Sequence, residues 1–356
     1  MKVLVTGGAG FIGSNLTERL LSLGHVVTVF DNLSRTGTKH NLDWISNHSD
    51  LSVIIGDVRD QDAISKAVND QDVVFHLAAQ VAVTTSVTNP RADFETNLLG
   101  TFNVLEAVRK LPVRARPTVI LTSTNKVYGR MAEVGIIEGE TRYAYSGLDN
   151  GVPEGQGLDF HSPYGCSKGG ADQYVRDYAR VYGLRTIVFR MSCIYGPRQF
   201  GNEDQGWVAH FLISRLLNKP ATVYGNGKQV RDILFISDLV DAFLNAADRS
   251  SEIAGEVFNI GGGPKNTLSI LELLEWINKK DNAMDVSFAE WRPGDQPVYI
   301  SDINAAFTRL GWYPRIDITQ GLERLWQWIS ANKGLMYATF PSSAPGGESV
   351  PHGITV

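Results

Sequence analysis

The run Gly7-Gly8-Ala9-Gly10-Phe11-Ile12-Gly13 restricts what this chain can fold into more than any other stretch. It follows Lys2–Thr6, a short apolar run with β character, and leads into Ser14–Leu23, where apolar residues recur at helical spacing. Gly24 closes that helix, and Val26–Phe30 reads as a second buried strand ending at Asp31. Strand, glycine turn, helix and an acid at this distance make a dinucleotide-binding fingerprint. One glycine forms the tight turn, one lets backbone touch a pyrophosphate, and one lets helix and strand pack closely. The helix N-terminus then offers free amides and partial positive charge to the phosphates. Asp31 is placed to accept hydrogen bonds from a ribose 2′-hydroxyl and would repel a 2′-phosphate. That favours NAD over NADP, with nearby Arg35 keeping the second open.

The alternation continues along the chain. Leu51–Gly56, Asp72–Leu77, Thr118–Ser123 and Leu184–Arg190 read as strands, and Gln61–Asn69, Arg91–Lys110 and Tyr164–Tyr182 as helices. Ser162 precedes Pro163 as a cap for the last of these. Short apolar strands alternating with amphipathic helices predict an α/β fold, a doubly wound parallel sheet covered on both faces. Between Arg130 and Phe160 the periodicity is lost, which predicts an ordered functional loop or lid. After Pro197 the elements are short and mixed, with helical stretches at Trp207–Leu217, Ser237–Arg249, Ser269–Lys279 and Gln320–Ala331. The expected organisation is a cofactor domain over 1–190 with a return segment at about 232–263. A smaller mixed α/β domain over 191–231 and 264–333 would hold substrate at the carboxyl ends of the strands. Gly334–Val356 reads as a loosely packed tail.

Tyr164 and Lys168 stand four apart, on one face of their predicted helix. An ammonium one turn away favours a phenolate, so the pair suits removal of a proton from an alcohol. Asp57-Val58, after the third strand, would contact adenine; a plain helix cap at Asp57 is the alternative. A net charge of -5 gives no reason to expect nucleic acid or an anionic membrane. No apolar run is long enough to span a bilayer, and Met1–Val5 lead straight into the glycine turn with no apolar segment ending in a small-residue cleavage site, so no export is expected. Two cysteines, Cys166 and Cys193, fit a reducing cytoplasm, and the scattered histidines predict no metal.

Taken together, Gly7–Gly13, Asp57, His76-Leu77-Ala78-Ala79, Asn97, Thr122-Ser123-Thr124, Tyr128-Gly129, Tyr164–Lys168 and Tyr195-Gly196-Pro197 resemble the extended short-chain dehydrogenase/reductases that act on nucleotide sugars. The resemblance covers roughly Met1–Lys333 and implies a Rossmann-type fold and bound NAD. Cofactor contacts are implied at Gly7, Gly10, Phe11, Ile12, Gly13, Asp31, Asn32, Asp57, Val58, Leu77, Ala78, Ala79, Gln80, Asn97, Thr122, Tyr164 and Lys168. Three residues would be catalytic: Tyr164 as base, Lys168 as the cation that depresses its pKa, and Thr124 as the hydroxyl that steadies the reacting oxygen.

Asn125 and Lys126 stand where the family's sugar dehydratases carry an acidic pair, so the chain resembles an epimerase. Ser123–Gly129, Asp159–Tyr164 and Asp204–Val208 are most similar to the subgroup that inverts C2 of a CDP-linked hexose, with C4 inversion and a non-catalytic NAD sensor as alternatives. Arg231 and Arg292 would grip the diphosphate, Tyr224 would stack on base or sugar, and Gln199 would contact substrate. Cys193 departs from the asparagine of many relatives, and Ser192 is a candidate to compensate. The resemblance further implies a homodimer or homotetramer.

Overall fold

Seven parallel strands form the central sheet of this computed structural model, which describes residues 1–292 and 294–341. In chain order the first half runs β1 (Lys2–Thr6), α1 (Phe11–Ser22), β2 (Val26–Asp31), α2 (Thr38–Ile45), β3 (Leu51–Ile55), α3 (Gln61–Val68) and β4 (Val73–His76). Then come α4 (Val83–Thr88), α5 (Pro90–Phe94), a π turn (Glu95–Leu99), α6 (Gly100–Lys110) and β5 (Thr118–Thr124). A hairpin, β6 (Gly135–Glu138) with β7 (Tyr143–Ser146), precedes α7 (Ser162–Tyr182), β8 (Thr186–Met191) and β9 (Cys193–Tyr195). The remainder is α8 (Trp207–Leu216), β10 (Ala221–Tyr224), β11 (Val230–Phe235), α9 (Ile236–Asp248), β12 (Val257–Ile260), β13 (Thr267–Ser269), α10 (Ile270–Lys280), β14 (Val286–Ala289), β15 (Val298–Tyr299), α11 (Ile318–Ala331) and α12 (Lys333–Thr339).

The sheet order is β3-β2-β1-β4-β5-β8-β12, so the winding direction reverses between β1 and β4. At such a reversal the loops leaving the two strands part and leave a crevice at their carboxyl ends. Strands covered by helices on both faces must be apolar throughout, and Val3-Leu4-Val5, Val73-Val74-Phe75 and Val119-Ile120-Leu121 are all buried. One core unites β1, α1 and α9 with the smaller lobe; a second packs α3, α6 and α7 on the opposite face. Phe189 stacks on Phe243 at 5.3 Å between centroids, near the middle of the first core. Truncating such a ring to Ala would cost about 3–5 kcal/mol.

The smaller lobe holds a four-stranded sheet of β9, β11, β13 and β15 and the parallel pair β10–β14. β12 returns to pair with β8 in the central sheet, so the chain crosses between lobes more than once. α7, which carries Tyr164 and Lys168, is tied to β8 by a buried ion pair. Arg190 Nε and Nη2 donate to the two oxygens of Asp172 at 2.9 and 3.0 Å.

Four expectations need correction. α1 begins at Phe11, three residues early, because Gly13 is already helical and lies against Gly7; a Cβ there would stand 2.1 Å from Gly7 O. The stretch Arg91–Lys110 is helical but widened by its π turn. Arg130–Phe160 is not one loop: the hairpin is clamped by Arg142 Nε on Glu272 at 2.6 Å, and Val152 pairs with Ile300 at 2.7 Å. Residues 334–339 are helical, with Met336 fully buried, so the tail packs at least that far. The part of that tail expectation covering 342–356 lies outside the described residues.

Candidate active site

The glycine turn is shaped by what it cannot accommodate. Gly7 has φ +70, and a Cβ there would stand 2.7 Å from Ala78 N. No side chain caps α1, so its first N–H groups face the crevice. That crevice is a cavity of about 390 Å³. Its wall includes Gly7, Gly10, Phe11, Ile12, Gly13, Asp31, Asn32, Val58, Leu77, Ala78, Ala79, Thr122, Tyr164 and Lys168. Three wall atoms are buried without a hydrogen-bond partner, Asn41 Oδ1, Ser123 Oγ and Gln199 Oε1. Orphaned polar atoms and an uncapped helix end on one cavity fit a polar, phosphate-bearing ligand.

Behind the wall, the predicted residues divide. Asp31 Oδ2 accepts from Ala9 N at 3.0 Å and Oδ1 from Leu33 N at 2.8 Å, bracing the turn while facing the cavity. Asn97 does not reach the cavity. Its Nδ2 donates to Gln80 O at 3.0 Å and its Oδ1 accepts from Gln80 N at 2.9 Å, so it fixes the backbone that forms the wall. Gln80 likewise turns its side chain to Ala82. Asp57 neither lines the cavity nor caps α3; Asp60 caps it, accepting from Asp62 N and Ala63 N. Asp57 instead holds Arg59 and Asn32, and Arg59 keeps its carboxyl well below the usual range. His76 links Thr6 Oγ1 at 2.7 Å to Thr101 Oγ1 at 3.1 Å, and burial drives its pKa down to about 3.

Tyr164 and Lys168 lie where expected, on the wall from the first turns of α7. Ser162 is the first residue of α7, one later than the cap position at His161; its Oγ accepts from Gly165 N at 3.2 Å, and it is held at φ +65. Such backbone is costly for a residue with a Cβ and collects at functional sites. Lys168 Nζ donates to Thr122 O; burial lowers its pKa to about 8, against the pull of Asp93 and Asp172. The expectation for Tyr164 is reversed in this state of the chain. Burial pushes the phenol up to about 12, and the groups that lower it are the Thr124 hydroxyl and Arg35 rather than Lys168. Thr124 Oγ1 also accepts from Lys126 N at 3.2 Å and donates to Asn125 Oδ1 at 3.3 Å.

The substrate-side residues form two groups. Lys126 Nζ donates to Gly294 O at 3.2 Å, and burial, with Arg231 adding to it, lowers its pKa to about 8. Arg231 donates to Val230 O at 2.8 Å. Two cations that disfavour each other suit a diphosphate. Cys193 lies close to both cations, and burial raises its thiol, as expected of a small packed residue. Ser192 Oγ, the candidate to compensate for the asparagine, donates to Asp232 O at 2.9 Å. In the second group, Tyr224 offers less than expected. The Arg292 guanidinium covers its ring at 3.8 Å, its hydroxyl donates to Glu203 Oε1 at 2.5 Å, and Arg292 Nη1 donates to Glu203 O at 2.8 Å.

The family described as GDP-mannose 4,6 dehydratase matches residues 4–325. The chain belongs to that family, among the extended short-chain dehydrogenase/reductases. It is 45% identical over 340 residues to CDP-paratose 2-epimerase of Salmonella typhi, covering 93% of this chain and 100% of that one. It is 33% identical to a putative UDP-glucose 4-epimerase of Methanocaldococcus jannaschii, over 93% of this chain and 99% of that one. UDP-glucuronic acid 4-epimerase from Bacillus cereus, solved with UDP-glucuronic acid and NAD, superposes with a TM-score of 0.80 at 31% identity. That match covers 93% of this chain and 99% of that structure.

Of the wall residues contributed by 198–205, the sequence pointed to Gln199 and to Asp204-Gln205, while Arg198, Phe200 and Asn202 had no signal in it. Arg198, Phe200, Asn202, Asp204 and Gln205 close the cavity, with Arg35 Nη2 donating to Gln205 Oε1 at 2.9 Å. Gln199, expected at the substrate, is on this wall together with Tyr164 and Lys168. Among the described residues no group of His, Cys, Asp and Glu could hold a metal ion. Nor is any described helix long and apolar enough to cross a membrane.

Proposed function

We propose that this protein is an NAD-dependent nucleotide-sugar epimerase that inverts C2 of a CDP-linked hexose of the paratose/tyvelose type. The observation that carries the reading is the meeting of Tyr164 and Lys168 on the wall of the same cavity as the glycine turn, with Thr124 acting on the same phenol. The 45% identity to CDP-paratose 2-epimerase supports the choice of C2 and cytosine. In this reading residues 1–190 with 232–263 hold cofactor, and 191–231 with 264–333 hold nucleotide sugar.

A carbon bearing C–H and O–H is scarcely acidic, so direct inversion is hard. Bound NAD supplies a hydride acceptor and donor. Gly7 and Gly13 let the turn close against Ala78 and against itself; the start of α1 would hold the phosphates of NAD, Asp31 its ribose, and Ser123 and Gln199 would satisfy their orphaned atoms against it. Tyr164 takes the proton from the sugar hydroxyl as phenolate, a form that Arg35 and the positive charge of bound NAD would favour against burial, and Thr124 steadies the oxygen as charge develops on it. Lys168, fixed on Thr122 O one helical turn after Tyr164, supplies the cation of the pair on the cavity wall. Lys126 and Arg231 hold the diphosphate while the planar keto-sugar turns its other face. With Asn125 and Lys126 in place of two carboxyl groups, elimination of water is disfavoured.

The test is incubation with CDP-, UDP- and GDP-linked hexoses in D₂O, with products read by NMR. Inversion at C2 with protium retained at that carbon is expected; deuterium at the inverted carbon, or no inversion, would reject the mechanism. Inversion at C4 of a UDP-sugar is the second reading, supported by the Methanocaldococcus relative. A homodimer through α6 and α7 is part of the proposal, supported by exposed Phe94, Phe102, Tyr174 and Val181 on those helices and α5. Light scattering of the purified protein checks it.

A further inference from the structure

Asp93 is a carboxylate that none of these steps uses. It lies on α5, wholly buried. Its oxygens accept from Ser167 Oγ at 2.5 Å and from Asn97 Nδ2 at 3.2 Å, both neutral donors. A buried carboxylate held only by neutral groups is costly unless a cation stands near it. The residue after Ser167 is Lys168, and Asp93 is the strongest influence holding that ammonium charged. Asp172, the other acid acting on Lys168, is already bound twice by Arg190. Asn97 joins the same cluster to the cofactor wall, since its Nδ2 also donates to Ser167 Oγ at 3.1 Å and to Gln80 O.

We infer that Asp93 is a positioning residue for the epimerisation, the counter-charge that keeps Lys168 cationic and seats the Tyr164–Lys168 turn against the Asn97–Gln80 wall. This rests on the roles proposed for Tyr164 and Lys168. The groups acting on Lys168 are Asp93 from α5 and Asp172 from its own helix, while neutral His76 on β4 lies close by. Those acting on Tyr164 are Thr124 from β5, Arg35 from the loop after β2, and Asp93. Asp93 raises both pKa values, Lys168 by attraction and Tyr164 by repulsion. Removing its charge therefore moves both limbs of the rate profile to lower pH, a signature that loss of packing does not produce.

The experiment compares kcat/KM against pH for wild type and Asp93→Asn with the nucleotide sugar found to turn over. Phenolate absorbance, referenced to Tyr164→Phe, is titrated in parallel. Both limbs and the phenolate titration should move down by about one unit, about tenfold in rate on the alkaline side. Ser167→Ala, which keeps the charge, should leave the limbs in place. An unshifted profile in folded Asp93→Asn overturns the proposal, as does an equal shift in Ser167→Ala. If Asp93→Asn does not fold, Asp93→Ser serves; failure of both to fold assigns the carboxylate to stability alone and also overturns it. Full activity in Tyr164→Phe would instead remove the underlying mechanism, whatever Asp93 does.

Discussion

Lys168 is buried on the cavity wall and Lys126 is half-buried near Arg231, and desolvation lowers both to about 8. Their surroundings are opposite. Lys168 is flanked by Asp93 and Asp172, so its charge is balanced from within the fold. Lys126 faces Arg231, with Asp295 as a weaker counterweight, so part of its balance must come from outside. The first arrangement keeps a cation as a fixed part of the machinery; the second prepares a site for an anion.

The largest expected effect separates the two lysines directly. Lys168→Met should lower kcat by about 10²–10⁴-fold while protein still folds, whereas Lys126→Met should act mainly on KM, which steady-state kinetics resolves. Their stabilities should diverge too. Lys168→Met leaves Asp93 without its cation and lowers the melting temperature, while Lys126→Met removes a poorly balanced charge and raises it by about 2–4 °C. A kcat loss in Lys126→Met equal to that in Lys168→Met would erase the distinction.

Next in size is the anion contact itself. Arg231→Gln should raise KM for the nucleotide sugar by about 10–100-fold, the worth of charged hydrogen bonds to phosphate. An anion raises the pKa of Lys126, so binding of a nucleoside diphosphate should take up a fraction of a proton near pH 8–9. Calorimetry in buffers of different ionisation enthalpy measures that uptake. No proton uptake would show that the anion does not reach Lys126.

A further base, the buried His76, gives a smaller effect on stability. Its pKa is about 3 in the fold against the ordinary 6.5, so the unfolded chain binds the proton first as pH falls. Stability is complete above pH 6.5 and declines toward pH 3, at no more than about 1.4 kcal/mol per unit. Denaturation against pH in His76→Gln should flatten that decline. Least of all, Lys279→Ala breaks the exposed pair with Glu275 at 2.6 Å and should change stability by less than about 1 kcal/mol. It serves as the control for charge removal at a wet site.

The glycine turn, the strands and the long catalytic helix were legible because each is a local matter. Three glycines, a strand and an acid lie within one βαβ unit, and Tyr164 and Lys168 share a helix face whatever packs on it. Asn97 and Asp57 were harder. Their residue types suited ligand contact, but packing turned one to Gln80 and the other to Arg59. Tyr224 suits stacking on a base or sugar, yet Arg292 covers its ring and Glu203 binds its hydroxyl, each distant in sequence. The wall at 198–205 had no periodicity to betray it.

By itself the sequence determined the sheet, the dinucleotide fold at its reversal and the pair on α7, since hydrophobic period and backbone freedom are written within a few residues. Only the tertiary structure decided the charge state of what it had placed. A pKa depends on burial and on neighbours such as Asp93 and Arg231, which the chain brings close from tens of residues away, and no spacing in the sequence encodes that distance.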